Sequence, residues 1–333
     1  MKACVIGDGG WGTALATILD ANGHDVAVWG PFERQLEETQ ERRENRAFLP
    51  GVRLSDEIQW VAERETAVEG SRVVVLAVPS RFARDVLHGF RNCLPAEAAV
   101  VSVAKGLDKE THQRMSEVAS EELQRPAIAA LSGPSHAEEV ARGVPSAVVI
   151  ACEDRAHRTL LQEAFNRPTF RVYTSDDVIG VELGGALKNV IAIAAGVSDG
   201  IGFGDNTKAA LITRGLAEMT RLGVALGANP ATFSGLSGIG DLIVTCASRL
   251  SRNRGVGERL GKGERIDDIL ASMAQVAEGV WNCATAVDLA RKLDVDVPIS
   301  EEVHAVVHEG KDPRQAVQDL LTREPRPEQD RRS

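Results

Sequence analysis

The sequence predicts an α/β protein in which an N-terminal parallel-sheet domain is followed by a mostly α-helical C-terminal domain. Three observations carry this expectation. Short β-branched runs alternate with helical patterns through the first half, the order that builds βαβ units. After about Ser175 the texture changes to long helical segments with few such runs. A glycine-rich turn, Gly7-Asp8-Gly9-Gly10-Trp11-Gly12, joins the first apolar run to the first amphipathic segment.

Taken in order, the expected strands are residues 3–6, 26–29, 73–78, 100–103, 128–131 and 147–151. The expected helices of the second half are 178–197, 209–227, 266–274, 284–293 and 300–308, with a Gly-rich stretch running to Gly263. This divides the chain into a sheet domain (1–177), a helical domain (178–322) and a charged, Pro-containing tail (323–333) read as flexible. At 333 residues and 43% hydrophobic content, each domain has enough apolar side chains for its own core. A formal charge of −10 argues against nucleic acid or an anionic membrane as partner, so an anionic ligand must be met by a few local Lys and Arg residues. The five cysteines (Cys4, Cys93, Cys152, Cys246, Cys283) lack CxxC spacing, which fits a reducing cytoplasm, core thiols and no zinc site. No charged segment followed by an apolar core opens the chain, and the longest apolar run, 190–197, is too short to span a bilayer.

Strand, glycine turn and helix in this order read as a Rossmann-type dinucleotide site. Gly7 permits the sharp turn, Gly9 lets backbone approach a pyrophosphate, and Gly12 lets the helix pack on the strand. The bare helix N-terminus then holds the anion. In such units an acid roughly twenty residues on takes the ribose hydroxyls. Here the second strand ends Val28-Trp29-Gly30-Pro31 without one. NADP is therefore permitted beside NAD, and Arg34 is either a partner for its 2′-phosphate or a solvated helix residue.

Function in parallel sheets collects at the carboxyl ends of strands. Lys105 stands there in Ala104-Lys105-Gly106, either as a site cation or as an ordinary surface lysine. Gly133-Pro134-Ser135 follows the fifth expected strand, and Ser135 with Glu138 has capping-box spacing; a helix N-terminus beginning near Ala137 would also point donors at an anion. In the helical domain, Lys188-Asn189 is the sole polar pair between two apolar runs. A helix apolar all round is buried, and burial pushes a lysine pKa down toward useful acid/base chemistry. Further on, Gly235 to Asp241 offers either a tight ligand-hugging turn or a Schellman-type stop, with Asp241 able to neutralise Lys188. Ser251-Arg252-Asn253 combines a guanidinium fork with neutral donors, suited to a phosphomonoester, or forms an exposed basic loop.

The segments GDGGWGTALA, AKGL, LSGPSHAEEV, GVELGGALKNVIAIAAGVSDGIGFGDN, GLSGIGDLIVTC, SRNR and VAEG, spread over nearly the whole chain, resemble the bacterial-type NAD(P)-dependent glycerol-3-phosphate dehydrogenases. The resemblance implies Lys188 as proton acceptor in hydride exchange between NAD(P)H and dihydroxyacetone phosphate. It implies substrate binding by Lys105, Gly133, Ser135, Asp241, Ser251, Arg252 and Asn253; Asn189, at the level of Lys188, is a natural second substrate donor by its place in the helix. It implies cofactor contacts at Gly10, Trp11, Lys105, Ala137, Arg252, Val276 and Glu278, and a cytoplasmic homodimer supplying phospholipid synthesis. Pro31, His136 and Cys283 depart from the family pattern. Two other readings stay open at this level: a dehydrogenase of the same architecture acting on a hydroxy acid, and a nucleotide-sensing module without catalysis.

Overall fold

The computed structural model describes residues 1–273, 275–325 and 327–328. Among these, eight strands form one sheet: β1 (Lys2–Ile6), β2 (Asp25–Trp29), β3 (Gln59–Val61), β4 (Val73–Leu76), β5 (Ala99–Ser102), β6 (Ala129–Ser132), β7 (Ser146–Ala151) and β8 (Phe170–Ser175). Their order is β3-β2-β1-β4-β5-β6-β7-β8. Strands β1 to β6 run parallel, with β1 between β2 and β4, so the crevice outside β1 and β4 is a topological switch point.

Two strands, β3 and β8, are absent from the sequence expectation. β3 is only three residues long, too short for a pattern. β8 does alternate, with Phe170 and Val172 buried and Arg171 and Tyr173 exposed. The expectation of an all-parallel sheet is also corrected: β7 is antiparallel to β6, with Leu131 opposite Ile150. The intervening helix has five residues. At about 1.5 Å rise per residue it is too short to carry the chain back along the sheet, so β7 starts where β6 ends.

Helices α1 (Gly10–Ala21), α2 (Glu33–Arg42), α3 (Arg64–Val68), α4 (Ser80–His88), α5 (Met115–Leu123), α6 (Ala137–Ala141) and α7 (Arg155–Phe165) cover the sheet. Alternation along the strands makes two cores. Ala3, Val5, Val73 and Val75 pack with Leu15, Leu19 and Phe165 on one face. Cys4, Ile6, Val74 and Leu76 pack with Leu87, Phe90 and Val118 on the other.

The second half is α8 (Val178–Ile201), α9 (Asp205–Ala225), α10 (Pro230–Phe233), a π-helical turn (Leu236–Gly240), α11 (Asp241–Ala247), α12 (Arg252–Gly261), α13 (Ile266–Ala271), α14 (Gly279–Lys292), α15 (Pro298–His308) and α16 (Pro313–Leu321). The expectation for 266–274 is shortened, and Ala274 lies outside the described residues. By length and a mean hydropathy of 1.6, α8 could cross a membrane, which the run 190–197 alone did not suggest. Instead 89% of that apolar window is buried, and both helical cores form on α8. The Gly-rich stretch contains α11 and α12. A Cβ on Gly196 or Gly200 of α8 would strike the α12 backbone, and one on Gly257 would strike the α8 backbone, so the glycines serve interhelical approach. That contact sets the N-terminus of α12 beside the middle of α8.

The seam between halves is tied by carboxylates that meet helix N-termini. Glu182 of α8 accepts from the Ser116 amide (2.8 Å) and from Arg114 (2.7 Å) at the start of α5. Glu278 accepts from the Ser80 amide (3.0 Å) and the Ser80 hydroxyl at the start of α4. Of the tail read as flexible, Arg323 pairs with Asp296 (2.9 Å) and the Glu328 carbonyl accepts from Arg214 (3.1 Å); Arg326 and 329–333 lie outside the described residues. All five cysteines are free, four of them buried.

Candidate active site

A cleft of about 640 Å³ lies outside the carboxyl ends of β1, β4 and β5 and is closed on its other side by α8, α11, α12 and the segment before α14. The glycine turn forms its floor. Gly7 has φ +121°, and a Cβ there would sit 2.7 Å from the Ala77 carbonyl oxygen. A Cβ on Gly12 would overlap the Gly7 carbonyl, and one on Gly10 the Phe48 carbonyl. At Gly9, by contrast, a Cβ would meet nothing within 4 Å. The space over Gly9 is therefore open at the bare N-terminus of α1, which has no capping side chain and no acid in its first turn. The indole N–H of Trp11, in that turn, is buried without a partner. These features fit a dinucleotide: open backbone where a pyrophosphate sits, and uncommitted donors around it.

On the opposite wall, two lysines from different halves share one carboxylate. Asp241, the first residue of α11, is 1% exposed. Lys105, after β5, places Nζ 2.8 Å from Asp241 Oδ2 and 2.9 Å from the Gly133 carbonyl. Lys188, in mid-α8 and 5% exposed, donates to Asp241 Oδ1 and, at 2.7 Å, to Thr245 Oγ1. The Thr245 hydroxyl in turn donates to the Asp241 carbonyl at 2.6 Å, so its lone pair faces the amine. Burial pulls the Lys188 ammonium down to about 7, against the Asp241 carboxylate, with the Lys105 charge adding to the fall. Burial alone would raise Asp241; the two ammoniums overcome it and hold the carboxyl below its ordinary value. With both lysines protonated the cluster carries one excess positive charge beside the cleft, and loss of the Lys188 proton neutralises it.

Ser135 donates to the Gly133 carbonyl (2.8 Å) and accepts from Lys105 (3.3 Å). This corrects the capping-box expectation: α6 begins at Ala137 with His136 at its N-cap and no side-chain cap, and the Ser135 hydroxyl is turned toward Lys105. His136 lines the cleft, and burial, with Lys188 and Lys105, lowers its pKa, favouring the neutral imidazole. Ala137 and Val276 also line the cleft, and Arg252 reaches the Val276 carbonyl at 2.8 Å. Ser251 caps α12 by accepting from the Arg254 amide (3.2 Å). Asn253 bonds Asn189 Oδ1 (3.0 Å) and accepts from the Gly279 amide (2.9 Å). The first turn of α12 contains no acid and opens on the cleft beside Arg252.

Most of the residues expected from sequence therefore meet at one cleft. Arg34 does not: it lies exposed on α2, while Pro31 and Phe32 take the cleft wall at that end. Cys283 is buried away from the cleft, its thiol bonded to the Val280 carbonyl within α14. Thr245 and Ser80 were not among the expected site residues. The only local signal for Thr245 was its spacing four residues after Asp241, which puts both on one face of α11. Ser80 gave none.

Two family profiles cover most of the chain: the NAD-dependent glycerol-3-phosphate dehydrogenase N-terminus over residues 2–158 and the C-terminus over 177–318. The chain belongs to the NAD-dependent glycerol-3-phosphate dehydrogenase family. A glycerol-3-phosphate dehydrogenase (NAD(P)+) of Geobacillus thermodenitrificans is 50% identical over 322 residues, covering 96% of this chain and 94% of that one. The enzyme of the same name from Citrifermentans bemidjiense is 49% identical over 325 residues, 97% of either chain. The crystal structure of glycerol-3-phosphate dehydrogenase from Coxiella burnetii superposes with a TM-score of 0.93 at 37% identity, covering 97% of this chain and 99% of that one.

Proposed function

We infer that this family member is an oxidoreductase that passes hydride between NAD(P)H and dihydroxyacetone phosphate, giving sn-glycerol 3-phosphate reversibly. The single observation that carries the reading is the Lys105–Asp241–Lys188 cluster, built from both halves and set against the cleft that the glycine turn opens. In this reading the sheet domain (1–177) holds the cofactor and the helical domain (178–322) holds the substrate.

When bound, the nicotinamide supplies or receives the hydride at substrate C2. Lys188 gives a proton to the C2 oxygen in reduction and takes it in oxidation. An amine titrating near 7 serves both directions. Asp241 keeps Lys188 oriented in either charge state, and Thr245 keeps an acceptor on its proton. Lys105 faces the same oxygen, held in place by Gly133 and Ser135; Asn189, expected as a second donor, instead gives its amide hydrogens to the Lys105 and Gly185 carbonyls and so supports the Lys105 backbone. The substrate phosphate lies at the N-terminus of α12 among Ser251, Arg252 and Asn253, where helix N–H groups and a guanidinium converge. Gly7, Gly9, Gly10, Trp11 and Gly12 shape the pyrophosphate end, with Ala137, Val276 and Glu278 along the rest of the cofactor. Arg34 is outside the cleft lining, which at that end is Pro31 and Phe32, and both NAD and NADP are admissible.

The product is a building block of glycerophospholipids, and a cytoplasmic homodimer completes the reading; light scattering tests the latter. The decisive assay follows NADH and NADPH oxidation with dihydroxyacetone phosphate, beside a panel of 2-oxo acids. Turnover with the phosphate ester and none with the acids is expected. Preference for an oxo acid, or no oxidation of either nucleotide, would end the assignment.

A further inference from the structure

Lys105 reaches Asp241 from a loop, on a stem with four methylenes. Its ammonium can be fixed only if the backbone beneath it is fixed. The Lys105 carbonyl accepts two side-chain amides, Asn189 Nδ2 at 3.0 Å and Asn282 Nδ2 at 3.1 Å. Asn189 lines the cleft; Asn282 does not. Asn282 lies on α14, 1% exposed, among the apolar core residues Val280, Cys283 and Ala286. Its amide also donates to the Ala186 carbonyl of α8 at 3.1 Å, and its Oδ1 accepts from the Leu107 amide at 3.3 Å. A buried amide is unfavourable unless its polar atoms are matched, and here every match goes either to the loop carrying Lys105 or to α8 two residues before Lys188.

We propose that Asn282 is a positioning residue for the reaction: by tying the Lys105–Leu107 backbone to α8, it fixes how closely the two ammoniums approach Asp241. The inference rests on the roles given above to Lys105 and Lys188. It has a kinetic signature beyond lost stability. The Lys105 charge helps hold Lys188 down, so a loosened Lys105 lets Lys188 rise.

The test replaces Asn282 in the full chain by Leu, of similar size and apolar. Asn282→Ser, which keeps one small hydroxyl donor, carries the same test where the leucine variant does not fold. Misplacing a reacting group from a distance costs up to about a hundredfold, so kcat/KM for dihydroxyacetone phosphate is expected to fall by roughly tenfold to a hundredfold. The midpoint of the kcat/KM pH profile for glycerol phosphate oxidation is expected to move to higher pH. In a Lys105→Ala background, the Asn282 substitution is expected to have little further effect on residual kcat/KM, because the group it positions is gone. An unmoved midpoint, or losses that multiply in the double variant, would make Asn282 merely structural and overturn the proposal. Wild-type rates in Lys105→Ala alone would instead remove the Lys105 assignment itself.

Discussion

The two walls of the cleft are built on opposite principles. The sheet wall works by what is missing: side chains are absent at Gly7, Gly9, Gly10 and Gly12, the backbone comes close, and no charged side chain caps α1. The helical wall works by what is buried: an ammonium and a carboxylate inside an apolar bundle, the Lys188 ammonium held by Asp241 and Thr245 and the Asp241 carboxylate by Lys188 and Lys105. Substitutions on the first wall should therefore act through shape, and on the second through charge and proton transfer. The contrast also separates two seam carboxylates: Glu182 is paired to Arg114 away from the cleft, whereas Glu278 faces the cleft and, among the described residues, accepts hydrogen bonds from Ser80, with burial raising the pKa of both.

The largest effect expected is at Lys188. Removing a general acid/base typically lowers rates about 10²- to 10⁴-fold, so Lys188→Ala should lose kcat by that factor while cofactor affinity, measured by fluorescence titration, stays nearly constant. Equal losses in both would erase the distinction between walls. Next comes Arg252→Ala. A charge-assisted hydrogen bond contributes about 1.5 to 3 kcal/mol, so KM for the phosphorylated substrate should rise by roughly one to two decades. An unchanged KM would remove the phosphate from the N-terminus of α12.

Glycines on the sheet wall offer an internal control. Gly12→Ala forces a Cβ into the Gly7 carbonyl and should lower stability by about 1 to 3 kcal/mol, read as a lower Tm of the unliganded protein. Gly9→Ala meets open space, so stability should hold within about 0.5 kcal/mol, read as a nearly unchanged Tm, while the cofactor Kd rises. If the two behave alike, Gly9 is a structural glycine only. The mildest effect is pH dependence. With Lys188 titrating near 7 in the free enzyme, kcat/KM for oxidation, which needs the neutral amine, should rise with pH through that value. For reduction, which needs the ammonium, it should fall. In stability the same depressed pKa means that the folded state binds fewer protons than the unfolded state between about 7 and the ordinary lysine value. The Lys188 contribution to stability therefore grows with pH across that window.

The sequence by itself determined the glycine turn, the alternation of strands and helices, and the helical second half, because each rests on short-range chemistry: turn conformations, period-2 and period-3.6 burial, and the cost of an amine in an apolar helix. It also marked Lys188, since an unpaired polar residue amid apolar neighbours stands out along a line. Only the tertiary structure decided which groups meet. Lys105, Lys188 and Asp241 are 53 to 136 residues apart, and no spacing rule links them. Nor did local pattern reveal that Gly257 and Gly261 pack α12 against α8, that β7 reverses, that Ser135 turns to Lys105 instead of capping α6, or that Pro31 and Phe32 rather than Arg34 line the cleft. Those outcomes depend on the partner across the gap, and a partner's position is a property of the packed fold.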